Sequence, residues 1–456
     1  MNWTMAAISP LFSNPFVFFF TQRTTIALLA AFTHPTSHLR SLIFPILIAW
    51  NIYLLPHYKD YLPTRFSTVV VCYENVGQIL SYAEKILLRQ WSPDTFDPAR
   101  TTAESSSGEH ESKPKPPHPQ STWTRLRFGT WLAFSTRYIN TAHQAPKTPP
   151  YSTHNPTYIP TRASFLARKL LILAISYLIT DILVQQGQPE LNAVHFADAQ
   201  IPLFTRLFTR LFTPNHDPHD SISAKELLLR VISSLAFWSG GYFVIQLIYG
   251  TLQLLTVALG LSSPAQERPI MGSITEVYTM RGFWGSFWHQ MIRCRLTAVA
   301  DWVTYDVLRL PRSGAVPRGR GEVTYVRLVA RYTHLMCVFG LSGLMHHCID
   351  AGLGIGWRDS QATQGFLLMG VGIVMEDAVQ WVWFEVLGGE NSRSANRDRS
   401  QRSRKGTWVT RAVGYFWVAL WLSVATPYYA YPAMSRNTGS ERDRVLPFSL
   451  IRYFRS

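Results

Sequence analysis

The chain has 456 residues, 47% of them hydrophobic and only 16% charged, with 15 Trp, 20 Tyr and 26 Phe. A charged fraction well below the ~25% of soluble domains, with apolar residues gathered in blocks, argues for one polytopic membrane domain rather than several soluble ones. The formal net charge of +15 lies mainly between the apolar blocks and not as a stripe on a polar domain. That excludes a nucleic-acid binder and fits loops facing an anionic leaflet, or attraction of an anionic cosubstrate.

In chain order, no basic region precedes the first apolar run, so a cleaved signal peptide is not expected. Asn2-Trp3-Thr4 is a glycosylation sequon beside the start. Apolar blocks near 11–33, 41–56 and 66–88 are interrupted by Arg23, Glu74 and Glu84, which suggests interfacial or half-buried helices. Residues 92–122, with Lys113-Pro114-Lys115-Pro116-Pro117, have the composition of an extended or disordered linker. Further blocks lie near 165–185, 227–261, 325–349, 365–388 and 408–432. The block 227–261 is long for one upright helix, and Gly240-Gly241 offers a place to tilt or break it. Between 186 and 224 a Leu-Phe-Thr-Arg repeat runs from Leu203 to Thr213. It reads as an interfacial helix or as a neutral duplication. The expectation is an all-α transmembrane bundle of about seven to nine spans with interfacial helices, divided as 1–91, 92–122 and 123–456.

The loop 309–323 carries Arg309, Arg312, Arg318 and Arg320, and 389–406 carries Arg393, Arg397, Arg399, Arg402, Arg404 and Lys405. The connection between the intervening spans holds only Arg358 and Asp359. Two crossings separate the basic loops, so both can be cytosolic. Residues 263–320 then lie on that side.

Tyr332 to Ile349 is a run of eighteen residues without a formal charge that contains His346 and His347. An ionisable ring in a membrane span points to function before packing. On a helix, Ser342 and Asp350 stand one turn either side of His346 on its face, and either could orient the ring for general-base work. His347 points about 100° away and suits a helix–helix contact. The segment Arg281 to Arg295 mixes aromatics with Arg281, Arg293 and Arg295 around Trp288 and His289. It fits either an interfacial helix or a cosubstrate site in which arginines meet phosphates and His289 a carbonyl. Glu376 and Asp377 in an apolar block need a buried partner or a wet cavity. Cys72, Cys294, Cys337 and Cys348 form no C-x-x-C pair, and no metal site or resident cofactor is expected. Gly352, Gly354 and Gly356 follow no strand, and no phosphate-loop, H-E-x-x-H or G-x-S-x-G motif occurs. A di-iron oxidase built on His34/His38, His216/His219 and His346/His347 lacks a full set of histidine boxes. A transporter using His346, Glu376 and Asp377 as a proton relay would carry inverted repeats, and none is evident.

Phe339-Gly340-Leu341-Ser342-Gly343-Leu344-Met345-His346 resembles the catalytic-histidine segment of the membrane-bound O-acyltransferase superfamily, in its wax-synthase-like branch. Phe283-Trp284-Gly285-Ser286-Phe287-Trp288-His289-Gln290 is similar to that branch's F-W-G…W-H-Q block. Arg125, Arg127, Gly129 and Trp131, the Glu376-Asp377 pair, and Gly414-Tyr415 with Trp417 and Pro427 add to the resemblance, which covers roughly 123–432. Many wax synthases carry Glu after the histidine, where this chain has His347. That weakens the expectation of long acyl chains and leaves long-chain wax-ester synthesis as the second reading. Similar fungal chains are associated with O-acetylation of terpenoid and meroterpenoid alcohols. The resemblance therefore implies a multi-pass enzyme of the endoplasmic reticulum, moving an acetyl group from acetyl-CoA as cosubstrate to a lipophilic alcohol. It implies His346 and His289 as catalytic, Ser342, Asp350 and Trp288 as supporting, and Arg281 and Arg293 as cosubstrate-binding. It leaves the oligomeric state open.

Overall fold

A computed structural model describes residues 10–96, 121–185, 194–212, 222–312, 322–383 and 408–455. The long helices are α1 (Pro15–Phe32), α2 (His38–Leu54), α3 (Arg65–Tyr82), α4 (Thr122–Phe134), α5 (Arg162–Gln185), α6 (Leu203–Phe212), α7 (Ala224–Ala258), α8 (Arg293–Asp301), α9 (Glu322–Gly352), α10 (Ala362–Trp381) and α11 (Trp408–Met434). No β-strand occurs among the described residues. Several starts follow from local chemistry. Asn14 accepts from Phe16 N with Pro15 at the first helical position, Thr64 and Ser67 form a capping box, and Ser223 accepts from Glu226 N.

Six helices are long and apolar enough to cross a membrane: Pro15–Phe32, His38–Tyr61, Ala224–Ala258, Tyr325–Gly352, Ala362–Trp381 and Trp408–Met434. The expected count of seven to nine is thus six among the described residues. α3 and α5 fall short because polar side chains interrupt them. In α5 these residues turn inward: Lys169, Ser176, Thr180 and Asp181 are buried, while Leu170, Leu171, Ile175, Leu178 and Ile182 are exposed. Lys169 Nζ donates to Gln253 Oε1 of α7 at 2.8 Å.

The charges in the first apolar blocks are internal pairs. Arg23 of α1 lies 2.6 Å from Glu74 of α3, which also accepts from the Tyr249 hydroxyl of α7 at 2.6 Å. Glu84 pairs with Arg89 at 3.2 Å, and Lys85 Nζ donates to the carbonyls of Leu132 and Ser135, each at 2.8 Å. Gly240-Gly241 does not break α7. A Cβ on Gly241 would stand 3.3 Å from the indole of Trp288, so the glycine makes room for that ring.

Two apolar cores meet on α9. One gathers α1, α2, α3, α4 and the inner end of α9 around Tyr58, Tyr82, Leu132, Met345 and Ile349. The other gathers α7, α10, α11 and the segment before α8 around Trp238, Phe283, Phe339, Phe366 and Trp421. α9 and α10 run antiparallel: Arg331 reaches Asp377 at one end, and His347 meets Thr363 at the other. They touch closely at Gly343, where a Cβ would stand 2.7 Å from Thr363 Cα. The linker at 97–120, most of both basic loops and the sequon at Asn2 lie outside the described residues. The Leu-Phe-Thr-Arg repeat forms α6, with Arg206 held 2.6 Å from Glu226.

Candidate active site

The chain between α7 and α8 is folded onto α10 by a carboxylate. Glu376 accepts from the backbone N–H of Met280 at 2.8 Å and Arg281 at 3.4 Å, meeting amides at the start of a short helical turn. A wider helical turn, Phe283–Phe287, follows, and the chain becomes extended at Trp288. Trp288 is buried, its ring 4.9 Å from Trp238 edge-on and stacked 5.7 Å from Phe283. These contacts fix the residue next to His289.

His289 and His346 line one cavity of about 520 Å³ between the two cores. The His346 ring stacks on Phe366 at 4.5 Å and meets Tyr429 of α11 edge-on at 4.7 Å. Nδ1 of each histidine is buried without a hydrogen-bond partner. Burial, and then the charge of Arg295, push His289 down to about 4, so its imidazole is neutral at pH 7. Ser342 lines the same cavity.

One end of this space is cationic. Arg281, Arg293, Arg331 and Lys147 all reach it. Asp377 accepts from Arg281 at 2.6 Å, Arg331 at 2.8 Å and the Tyr332 hydroxyl at 3.2 Å. Arg281, Arg293, Arg331 and Lys147 together outnumber the neighbouring carboxylates of Asp377 and Glu376. Arg293 is turned inward, donating to Gly285 O at 2.8 Å and Gln290 Oε1 at 2.6 Å. Lys147 donates to Ser286 Oγ at 3.2 Å from a backbone with φ of 59°, in the left-handed region. Burial, with Arg293 and Arg281 nearby, lowers its pKa. From Arg331 to His346 is fifteen positions of α9, roughly 22 Å along the axis at ~1.5 Å per residue.

Asp350 is engaged away from His346. Its carboxylate accepts from Ser360 Oγ at 2.7 Å, in the turn joining α9 to α10, and no hydrogen bond links it to the imidazole. A shared helix face placed the two side by side, but the turn supplies a nearer donor. His347 is held by structure: its ring bonds Trp357 O at 2.8 Å and Thr363 Oγ1 at 3.3 Å. Sequence reasoning missed Tyr73 of α3, Tyr249 of α7, Tyr429, Lys147 and Arg331, all at the cavity wall. Tyrosines in apolar helices are ordinary, so nothing local marked these. Arg331 carried a signal, being the last charge before the uncharged run.

Residues 267–368, which hold both histidines, match the model of the membrane bound O-acyl transferase family. The chain is 30% identical over 420 residues to the acetyltransferase aurG of Calcarisporium arbuscula, covering 91% of each chain. It is 26% identical over 389 residues to the acetyltransferase fsoF of Humicola fuscoatra, 82% of this chain and 84% of the relative. With the acetyltransferase TRI7 of Fusarium sporotrichioides it shares 28% over 306 residues, 66% of this chain and 62% of the relative. No solved structure matches. Two histidines lining one largely apolar cavity, the family match and similarity to an acetyltransferase over 91% of the chain lead to one conclusion: the chain is an integral membrane acyltransferase and belongs to the membrane bound O-acyl transferase family.

Proposed function

We propose that the protein moves an acetyl group from acetyl-CoA to the hydroxyl of a lipophilic alcohol of terpenoid or meroterpenoid type, at the endoplasmic reticulum. The observation that carries this is a single cavity running from a cationic mouth, through aliphatic and aromatic walls, to His346. The mouth suits the CoA phosphates, with Arg331, Arg281 and Lys147 as contacts and Arg293 bracing the segment from Gly285 to Gln290. The depth along α9 leaves the pantetheine arm room to reach inward. His289, neutral and lacking a protein partner on Nδ1, donates to a carbonyl of that arm.

His346 accepts the proton of the acceptor hydroxyl as its oxygen attacks the thioester carbon, then returns it to the departing thiolate. No Ser or Cys nucleophile is required. Walls of Val, Ile, Phe and Trp keep out water that would hydrolyse the thioester, and they suit an apolar acceptor. Similarity to acetyltransferases supports acetyl over long chains. The test is to incubate membranes containing the protein with acetyl-CoA or palmitoyl-CoA and a panel of terpenoid and straight-chain alcohols. Acetyl esters of the polycyclic alcohols are expected. Palmitoyl esters of fatty alcohols as the main products would establish wax-ester synthesis instead.

A further inference from the structure

Besides the histidines, the cavity wall carries two buried donors without an acceptor, the Tyr73 hydroxyl and Trp284 Nε1. A buried donor left unsatisfied is costly, and one at a cavity wall is satisfied by what enters the cavity. Tyr73 stands beside the reacting centre: its ring lies 6.5 Å from that of His346. One turn further along α3, Gly77 leaves a notch in which a Cβ would stand 2.5 Å from Nη1 of Arg295. Arg295 of α8 is buried there, and Nη1 has no partner. Tyr73 and Gly77, four positions apart, share a face of α3, so the guanidinium lies about one turn from the phenol. A cation behind a phenol draws electron density from its oxygen and strengthens the O–H as a donor. Trp284 is packed instead among Trp238, Phe283, Phe339 and Phe366. Of the two donors, Tyr73 is therefore the one whose setting suits developing negative charge.

We propose that Tyr73 is a further catalytic residue, its hydroxyl donating a hydrogen bond to the thioester carbonyl oxygen as that oxygen gains charge. Arg295 is the positioning residue behind it. This rests on the acyl-transfer reading above. In the step, the acceptor oxygen bonds to the carbonyl carbon while His346 takes its proton, and the carbonyl π pair moves onto oxygen, where Tyr73 holds it. The carbonyl then re-forms, the carbon–sulfur bond breaks, and His346 gives the proton to the thiolate. Tyr73 keeps its own proton throughout.

The experiment is Tyr73→Phe in the full-length protein in nanodiscs, with acetyl-CoA and the best alcohol of the panel varied separately. The substitution removes an oxygen that no protein group uses, so folding should be retained, as checked by yield and thermal unfolding. Loss of one such donor lowers kcat by about 10²–10³-fold. That fall is expected here, with KM for both substrates within about twofold of wild type. A kcat close to wild type overturns the proposal, as does a loss confined to KM for the alcohol, which would make Tyr73 an acceptor-binding group. Arg295→Lys should lower kcat in the wild-type background and have little further effect in Tyr73→Phe, because it acts through Tyr73. Equal losses in both backgrounds overturn the positioning role. Wild-type transfer with an unaffected Tyr73→Phe would sink this proposal alone. A wild type that acylates no alcohol would sink the acyl-transfer reading as well.

Discussion

His289 and His347 differ in what holds them, and the difference predicts how each responds. His347 bonds Trp357 O and Thr363 Oγ1, so its contribution is to the seating of the turn between α9 and α10. His347→Ala should lose about 1–3 kcal/mol of stability, as for a buried hydrogen-bonded group, while transfer per folded molecule stays near wild type. Thermal unfolding beside specific activity separates the two. For His289 the prediction concerns pH. Its pKa falls from the ordinary 6.5 to about 4 on burial, so below about 6.5 the unfolded chain binds a proton that the folded chain refuses. The stability tied to its neutral form is complete above about 6.5 and is lost as pH falls toward 4. Between pH 7.5 and pH 5 the wild type should lose more thermal stability than His289→Gln; equal losses would show that another group sets the acid limit. His289 and His346, which line one cavity, both stand out in the sequence because such a ring is conspicuous in an apolar or aromatic run. The partner of Asp350 does not. Spacing placed Asp350 on the face of His346, but a helix face does not say which of two neighbours a carboxylate bonds, and Ser360 lies beyond the helix.

At the scale of elements, the pair between α1 and α3 accounts for charges that made these helices look interfacial. Arg23 and Glu74 are both largely enclosed, with side-chain exposures of 8% and 19%. Removing one partner leaves an uncompensated buried charge, so Arg23→Leu should cost about 3–5 kcal/mol, whereas Arg23→Leu with Glu74→Leu should be milder. Chemical denaturation in detergent checks this; a double variant worse than the single would contradict it. Apolar blocks marked most of the long helices, but nothing in the sequence shows that Arg23 pairs with Glu74 across 51 positions. α5 illustrates the limit: its buried face is the polar one, so composition ranks it below the helices it packs against. The antiparallel pair α9–α10 makes a topological prediction. The Arg331–Asp377 contact ties the outer ends of both helices together at 2.8 Å. Tags inserted at 314–316 and at 397–399 should therefore report the same side of the membrane, and opposite labelling would break the hairpin.

For the whole molecule, the arrangement that matters is two cores sharing α9, with the cavity in the seam between them. The half carrying α7, α10 and α11 supplies Phe366 and Tyr429 beside His346, and the half carrying α3 supplies Tyr73 to the wall. The two histidine motifs read from the sequence lie on α9 and the segment before α8, which explains why the site was only partly visible. Residues contributed by remote helices have no local pattern, since their proximity to His346 exists only after the cores meet. We place acyl transfer in this seam, with His346 as the base. Steady-state transfer from acetyl-CoA to the preferred alcohol by purified wild type and His346→Ala in nanodiscs tests it most directly. General-base catalysis contributes about 10²–10⁴ in rate. The variant should lose at least about a hundredfold in kcat on that scale, with acetyl-CoA binding and thermal stability near wild type. A His346→Ala protein that keeps more than roughly a tenth of the wild-type rate, far above the residue of such a loss, would contradict the assignment.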